Sequence, residues 1–279
     1  MLKLAVIGKD VSESLSPAMH TFILREMGEA CTYDCVSIPP EQFGERAEAL
    51  FERYDAFNVT IPFKTDIMPY LKELKGDART FGAVNTVVSA SRAGYNTDGM
   101  GFLLMLGNAG VEVKGKDVLV LGAVGAGRSC IKKLAEAGAN VFAYERSEER
   151  LAEVFKEFGC FAPLSEVEAR RYDVIVNCTG IGMHRTVGRT PSVRTKAGEV
   201  PVGEELLSLC ETAVDLIYVP KESEFLRIAR GVGKRTVNGS AMLFYQAYFA
   251  DCIYLGRTPD AAEAGRLFEA YQRKGGDKA

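Results

Sequence analysis

Short apolar runs alternate with stretches of helical periodicity along nearly the whole chain, and this alternation restricts the fold more than any other sequence feature. Strand-like runs occupy residues 2–7, 32–38, 56–60, 83–89, 94–97, 117–121, 140–144, 173–177, 212–217 and 235–237. Helical spacing is found in residues 17–27, 41–53, 98–108, 127–137, 148–158, 222–230, 239–254 and 259–273. Strands that alternate with helices in this way form βαβ units. The sequence therefore predicts an α/β protein with mostly parallel, doubly wound sheets.

The alternation also predicts two domains. Residues 105–238 form one continuous run of strands and helices that is typical of a Rossmann-like, dinucleotide-binding domain. The last two helical stretches have no strand of their own to pair with, so we expect them to return to the first domain. The prediction is an N-terminal α/β domain of residues 1–104 plus 239–279 that binds the substrate and carries the catalytic residues, a Rossmann-like dinucleotide-binding domain of residues 105–238, and a cleft between them.

The composition argues against several classes of function. The 279 residues include 34 Lys and Arg against 37 Asp and Glu, and no basic cluster is interleaved with aromatic residues, so nucleic acid is not an expected partner. No apolar run approaches the roughly 20 residues that span a bilayer, so no membrane association is expected. The two histidines leave little material for a metal site or a Ser-His-Asp triad, so no metal is expected.

The cysteines give an expectation about location. There are seven, an odd number, and none of them forms a C-x-x-C pair. The first residues also lack the pattern of a secretory signal. We therefore expect reduced thiols and a cytoplasmic protein.

A glycine-rich turn follows the strand at residues 117–121 and begins the next helix. The segment GAVGAG at residues 122–127 allows a tight turn, and the amide groups at the helix N-terminus can bind a pyrophosphate. The match to the pattern G-x-G-x-x-G is incomplete, because Val124 stands where the second glycine is expected. The turn predicts a dinucleotide site formed by Gly122, Ala123, Val124, Gly125 and Ala126.

The residues after the next strand bear on which dinucleotide is bound. Glu145 stands where an acidic residue typically binds the adenosine ribose, which favours NAD. Arg146, Ser147 and Arg150 follow, and together they can hold the 2′-phosphate of NADP. The same mixed charges are also typical of an exposed start of a helix. NADP is the favoured cofactor, and NAD stays open.

Polar side chains lie at three strand ends in the first half of the chain. They lie in NVT at residues 58–60, NT at 85–86 and NTD at 96–98. Amides and hydroxyls at the carboxyl ends of strands suit a polyhydroxylated small molecule, although each alone is also typical of a turn or cap. Lys64 follows one of these strands and Asp98 another. Such a pair can relay the proton that accompanies hydride transfer to or from an alcohol.

Two serines follow the first strand, in the segment SESLSP at residues 12–17. Ser16 before Pro17 is typical of a helix N-cap. Ser14 and Ser16 are also candidate ligands for a substrate carboxylate, because none of these polar segments contains a suitably placed arginine.

Seven motifs, in order, resemble those of the shikimate dehydrogenase family. They are SLSP at residues 14–17 with His20, NVTIPFK at 58–64, GAVNT at 82–86, NTD at 96–98, NCTGIGM at 177–183, DLIYVP at 215–220 and NGSAMLFYQ at 238–246. The resemblance covers nearly the whole chain. It implies a reversible, NADPH-dependent reduction of 3-dehydroshikimate to shikimate in aromatic amino acid (chorismate) biosynthesis.

The resemblance also implies a role for each matching residue. Lys64 resembles the proton-transfer lysine of the family, with Asp98 beside it. Ser14, Ser16 and Tyr218 would hold the substrate carboxylate. The residues implied to bind the ring hydroxyls are Thr60, Asn85, Asp98 and Gln246. The residues implied to bind the cofactor are Gly122, Ala123, Val124, Gly125, Ala126, Glu145, Arg146, Ser147 and Arg150, with Met183, Leu216, Gly239 and Met242 near the nicotinamide. His20 is expected to be a packing or helix-surface residue.

Departures from the family pattern keep alternatives open. Val124 replaces a usual glycine, and Glu145 stands where members that prefer NADP often have Asn. The first alternative is therefore an NAD-dependent quinate/shikimate dehydrogenase. The second is a non-catalytic regulator that binds shikimate or quinate, against which the retention of Lys64 and Asp98 argues. Residues 184–200 are expected to form a polar loop near the cofactor or an exposed insertion, and the oligomeric state is open between monomer and homodimer.

Overall fold

The computed structural model describes residues 1–123, 125–145, 147, 149, 152, 156, 167, 170–183 and 198–275. The chain forms two compact units. Unit 1 contains Met1–Gly101 and the C-terminal segment that begins at Phe244, and unit 2 contains most of the described residues from Phe102 to Leu243. The predicted assignment of separate roles to two domains stays a prediction.

Unit 1 is built on a six-stranded mixed sheet with the strand order β2-β1-β3-β5-β6-β4. Its strands are β1 (Leu2–Gly8), β2 (Cys31–Ser37), β3 (Ala56–Val59), β4 (Glu73–Leu74), β5 (Thr86–Val88) and β6 (Ala93–Tyr95). β1 pairs in parallel with β2 and β3, whereas β5 pairs antiparallel with β3 and β6. Three of the five strand pairings in this sheet are parallel, that of β4 with β6 included, so the predicted mostly parallel arrangement holds, with β5 as the antiparallel exception. Only residues 89–92 join β5 to β6, and so short a connection forms a hairpin.

Unit 2 contains a five-stranded parallel sheet with the strand order β11-β10-β9-β7-β8. Its strands are β7 (Asp117–Leu121), β8 (Asn140–Tyr144), β9 (Tyr172–Asn177), β10 (Cys210–Asp215) and β11 (Arg235–Asn238). β7 lies between β8 and β9, so the chain order reverses at its carboxyl end, where open α/β sheets bind ligands. The predicted α/β fold with a Rossmann-like parallel sheet is confirmed.

Helices alternate with these strands along the chain. Those with described bounds are α1 (Ser16–Glu26), α2 (Phe43–Arg53), α3 (Asp77–Phe81), α4 (Asp98–Asn108), α5 (Ala126–Glu136), α6 (Glu204–Ser208), α7 (Glu224–Gly231), α8 (Ser240–Leu255) and α9 (Ala261–Arg273). In α2 the buried residues Phe43, Ala47 and Leu50 recur at helical spacing and pack against Phe57 and Phe63 in the core of unit 1. In the part of the chain that the structure describes, no helix is long and apolar enough to cross a membrane.

Candidate functional site

Lys64 and Asp98 form an ion pair in unit 1. Nζ of Lys64 lies 2.6 Å from Oδ2 of Asp98, and the two side chains are 28% and 14% exposed. Lys64 follows β3, and its carbonyl oxygen accepts a hydrogen bond from the amide of Val84 at 2.8 Å. Asp98 begins α4, and its amide donates to Oδ1 of Asn96 at 3.1 Å. The sequence-predicted pair is therefore in contact, and its role in proton transfer stays a prediction.

Asn85 holds the other oxygen of the Asp98 carboxylate. Nδ2 of Asn85 donates to Oδ1 of Asp98 at 2.8 Å and to Oγ1 of Thr97 at 3.0 Å. Oδ1 of Asn85 accepts from the amide of Thr97 at 3.0 Å and from the hydroxyl of Thr86 at 2.8 Å. The buried amide of Asn85 is therefore engaged inside the protein, where it fixes Asp98. Its predicted contact with substrate stays a prediction.

Ser14 and Ser16 lie at the start of α1. The helix begins at Ser16 after Leu15, and the structure shows no side-chain hydrogen bond at this cap, so the expectation that the Ser16 hydroxyl caps the helix is wrong. Oγ of Ser14 instead accepts from the amide of Ser16 at 3.2 Å, which places the two serines side by side. Thr60 follows β3, where its amide donates to the carbonyl oxygen of Ile7 at 2.9 Å.

The glycine-rich turn in unit 2 connects β7 to α5. Gly122 has a φ of 86°, and a Cβ on Gly127 would overlap the carbonyl oxygen of Gly122. The start of α5 therefore packs directly on the turn, which is the close contact of helix and strand that glycines provide in dinucleotide-binding turns. Oε2 of Glu145, at the end of β8, accepts from the amide of Ala123 at 3.3 Å. This contact brings the predicted acidic residue to the predicted turn.

Asp215 connects three segments at the carboxyl end of β10. Its Oδ1 accepts from Nδ2 of Asn177 and from the amide of Ile217, each at 3.0 Å, and its Oδ2 accepts from the hydroxyl of Ser223. Burial raises the pKa of Asp215 to about 6. Ser223 is also the N-cap of α7. The network fixes both ends of the loop that contains Tyr218.

The remaining predicted residues are distributed over both units. Gly239 lies between β11 and α8, and a Cβ at this position would overlap the backbone of Leu216. Met242 is buried in α8, whereas Met183 is exposed after β9. Gln246 lies in the part of α8 that belongs to unit 1. The meeting of Gln246 and Tyr218 at one substrate stays a prediction.

Three of the predicted cofactor-binding residues and most of the predicted polar loop lie outside the described residues. Ser147 is described, but Val124, Arg146 and Arg150 lie outside the described residues, as do residues 184–197 of the predicted polar loop. The proposed contacts of the two arginines with a 2′-phosphate therefore stay predictions.

Asn58, one of the polar residues that the sequence placed at strand ends, belongs to a polar group inside unit 1 whose other members received no binding or catalytic role from the sequence. The hydroxyl groups of Tyr33 and Tyr254 both donate to Oδ1 of Asn58. His20, expected to be a packing or helix-surface residue, is fully buried, and its Nδ1 lies 2.6 Å from Oδ1 of Asp251. Burial raises the pKa of Asp251. The partners lie 231 residues apart, so no local pattern could have paired them.

Known proteins resemble this chain over nearly its full length. A family profile described as the shikimate dehydrogenase substrate binding domain matches residues 6–87. A protein named shikimate dehydrogenase (NADP(+)) from Thermus thermophilus is 36% identical over 263 residues, which are 93% of this chain and 95% of that protein. A protein of the same name from Archaeoglobus fulgidus is 36% identical over 270 residues, again 93% and 95% of the two chains.

Solved structures agree with these relatives. The chorismate mutase/shikimate 5-dehydrogenase fusion protein from Clostridium acetobutylicum matches with a TM-score of 0.86 and 33% identity, over 98% of each chain. The shikimate 5-dehydrogenase from Thermus thermophilus, in complex with NADP(H) and shikimate, matches with a TM-score of 0.82 and 33% identity, over 96% of this chain and 98% of that one. The resemblance predicted from seven motifs is thereby confirmed, and the chain belongs to the shikimate dehydrogenase family.

Proposed function

We propose that this protein catalyses the reversible, NADPH-dependent reduction of 3-dehydroshikimate to shikimate, a step of aromatic amino acid (chorismate) biosynthesis. The observation that carries the proposal is the ion pair of Lys64 with Asp98, which lies among the motifs of the family. The names of the relatives support the substrate and the cofactor, because they are called shikimate dehydrogenase (NADP(+)). The Thermus structure with NADP(H) and shikimate supports the same pairing.

Lys64 is the proton-transfer residue in this proposal. The bound cofactor supplies the hydride that adds to the carbonyl carbon of 3-dehydroshikimate. Nζ of Lys64 donates a proton to the carbonyl oxygen, so that C=O becomes CH–OH, and it takes the proton back in the oxidative direction. Asp98 orients Nζ through the contact of 2.6 Å, while Asn85 fixes the carboxylate from the other side.

The substrate carboxylate is assigned to Ser14 and Ser16, with Tyr218 as a further ligand. The two serines lie side by side at the N-terminus of α1. The helix dipole favours an anion at such a position, and the two hydroxyl groups can donate hydrogen bonds to a carboxylate. The ring hydroxyls are assigned to Thr60, Asn85, Asp98 and Gln246.

The cofactor is assigned to unit 2, and the residues there fit a dinucleotide. The absence of a side chain at Gly122 and Gly127 lets the start of α5 pack closely on the turn, the arrangement by which such turns present helix N-terminal amides to a pyrophosphate. Arg146, Ser147 and Arg150 are assigned to the 2′-phosphate of NADP. The nicotinamide is assigned to Met183, Leu216, Gly239 and Met242.

An NAD-dependent quinate/shikimate dehydrogenase is the second candidate function. The observation that favours it is the carboxylate of Glu145 at the amide of Ala123, because an acidic group beside this turn can bind the adenosine ribose hydroxyls. A non-catalytic regulator is disfavoured, since binding alone requires no Lys64–Asp98 pair. We further propose a cytoplasmic protein that is a monomer or a homodimer.

Initial rates with shikimate or quinate, each combined with NADP or NAD, test the proposed function. The absorbance of the reduced nicotinamide measures turnover. We expect turnover only with the pair of shikimate and NADP. Turnover of quinate with NAD would support the second candidate and would assign the adenosine ribose to Glu145. If none of the four pairs reacts while shikimate still binds in calorimetry, the protein is a regulator and the proposed function is wrong.

A further inference from the structure

A chain of hydrogen bonds runs through the buried side of unit 1 and ends on Asp98. The hydroxyl groups of Tyr33 and Tyr254 donate to Oδ1 of Asn58 at 2.7 and 2.9 Å. Nδ2 of Asn58 then donates to Oγ1 of Thr86 at 3.3 Å. The hydroxyl of Thr86 donates to Oδ1 of Asn85 at 2.8 Å. The amide of Asn85, in turn, donates to the carboxylate that holds Lys64.

Neighbouring backbone groups fix the direction of this chain. The carbonyl oxygen of Asn85 can only accept, and it lies 3.2 Å from Nδ2 of Asn58, so the amide oxygen of Asn58 faces the tyrosines. The amide N–H of Thr97 can only donate, and it lies 3.0 Å from Oδ1 of Asn85, so the amide nitrogen of Asn85 faces Asp98. The Thr86 hydroxyl lies between a donor and an acceptor, and it therefore has a single orientation.

Because these side chains are buried, breaking any one of the hydrogen bonds that join them is costly. Asn58, Thr86 and Asn85 are all buried, so a polar atom that lost its partner could not turn to bulk water. The polar atoms of Asn58 and Thr86 are engaged within the protein, and we assign them no contact with substrate. At one end, this series of hydrogen bonds reaches the more exposed groups of Asp98 and Lys64.

The far end of the chain rests on the buried pair of His20 and Asp251. The imidazole of His20 stacks on the ring of Tyr33, with a distance of 4.7 Å between ring centroids and an interplanar angle of 19°. Asp251 and Tyr254 both lie on α8, and Tyr33 lies on β2. Two elements that are distant in sequence, β2 and α8, therefore supply the hydroxyl donors that orient Asn58, and His20 of α1 packs on one of them.

We propose that Asn58 and Thr86 are positioning residues, which lock the amide of Asn85 and thereby keep the Asp98 carboxylate directed at Lys64. This inference rests on the proposed function. Proton transfer depends on the alignment of the reacting atoms, and small displacements of a catalytic group have large effects on rate. A variant in which this series of hydrogen bonds is broken should therefore have a lower kcat and an unchanged KM for NADP.

Variants of Thr86 separate the hydroxyl from the shape of the side chain. Thr86→Val removes the hydroxyl and keeps the branched shape, whereas Thr86→Ser keeps the hydroxyl. Ser89→Ala is the matched control, because Ser89 follows β5 in the same hairpin and its buried hydroxyl has no hydrogen-bond partner in the described chain. Thermal melting of all three variants shows whether each is folded at the assay temperature.

With shikimate and NADP, we expect Thr86→Val to lower kcat about 10-fold, with the KM for NADP within about twofold of wild type. Thr86→Ser should recover kcat to within about threefold, and Ser89→Ala should match wild type. A Thr86→Val protein with the kcat of Ser89→Ala would overturn the inference. Equal losses in Thr86→Val and Thr86→Ser would also overturn it, since the hydroxyl would not be the cause.

Crystal structures of the wild type and Thr86→Val test the geometry without any substrate. We expect the contact of Asn85 Nδ2 with Asp98 Oδ1 to be lost or lengthened in the variant, and an unchanged contact would contradict the positioning role. This readout separates two failures. A wild type that does not turn over shikimate overturns the proposed function, whereas an unchanged Asp98 in the variant overturns only the positioning chain.

Discussion

Asp215 shows how one buried carboxylate sets the geometry of a loop in unit 2. Its two oxygens accept hydrogen bonds from Asn177, Ile217 and Ser223, and the ionised form satisfies all three donors. Burial opposes that ionisation and raises the pKa of the group to about 6. The loop is therefore organised by a charge that is costly to keep in the interior.

This carboxylate should make stability depend on pH. Its pKa in the folded protein, about 6, lies above its ordinary value of 3.8, so the folded state binds the proton more tightly than the unfolded state. The contribution of Asp215 is then most favourable below about pH 4, declines as the pH rises to about 6, and is constant above that. Relative to Asp215→Asn, the free energy of unfolding of the wild type should fall by roughly 3 kcal/mol over this range.

Urea unfolding of the wild type and Asp215→Asn at a series of pH values measures this difference directly. Groups elsewhere titrate in both proteins, and their contributions cancel in the comparison. If the free energy of unfolding of the wild type minus that of Asp215→Asn stays constant or increases with pH, the raised pKa of Asp215 is contradicted.

The contacts of single residues were predictable where those residues come soon after the end of a strand. Lys64 and Asp98 each follow a strand, and strands that end at one sheet edge bring such residues together, which the structure shows. His20 and Asp251 gave no such signal, because their contact depends on the packing of α8 against α1, 231 residues away. The sequence also marked Asn58 and Thr86 as polar, but their hydrogen-bond partners could be identified only from the folded sheet.

At the scale of elements, the packing of α5 on the glycine-rich turn depends on the missing side chain of Gly127. A Cβ at this position would overlap the backbone of Gly122, and backbone atoms cannot move aside as a flexible side chain can. Gly231, in α7 of the same unit, offers a matched control, because a Cβ there would meet no atom within 4 Å.

Gly127→Ala should therefore displace the start of α5 and weaken NADP binding by about 10-fold or more, since overpacking of this kind costs about 1–3 kcal/mol. Calorimetric titration with NADP measures the affinity, and thermal melting of the same samples measures stability. Gly231→Ala should bind NADP as the wild type does. Equal affinity in Gly127→Ala and Gly231→Ala would show that the close packing of this turn does not matter for the cofactor.

Elements with a long periodic pattern were predicted well, and short ones were not. The predicted helix at residues 98–108 has the bounds that α4 has in the structure. β4 contains only Glu73 and Leu74, too few residues for any alternation to show. The antiparallel pairing of β5 with β6 agrees with the four-residue gap between the predicted strands at residues 83–89 and 94–97, whereas its antiparallel pairing with β3 is seen only in the folded sheet.

At the scale of the whole molecule, the proposed reaction needs groups from both units. Lys64, Asp98 and the serine pair belong to unit 1, whereas the glycine-rich turn and the Asp215 network belong to unit 2. The family was predictable because each of its seven motifs is a short, continuous segment of the sequence. The series of buried hydrogen bonds that ends on Asp98 was not predictable, because it consists of contacts between elements that are distant in sequence.

The most direct test of the central claim is kcat for shikimate oxidation with NADP in Lys64→Met, which keeps the length of the side chain and removes the group that carries the proton. We expect kcat to fall by about 10²–10⁴-fold, the usual contribution of a positioned acid or base, with the KM for NADP unchanged. Lys75→Met is the control, because Lys75 is an exposed lysine of unit 1 that pairs only weakly with Glu73, at 3.4 Å. A Lys64→Met protein with the kcat of Lys75→Met would contradict the assignment of proton transfer to Lys64.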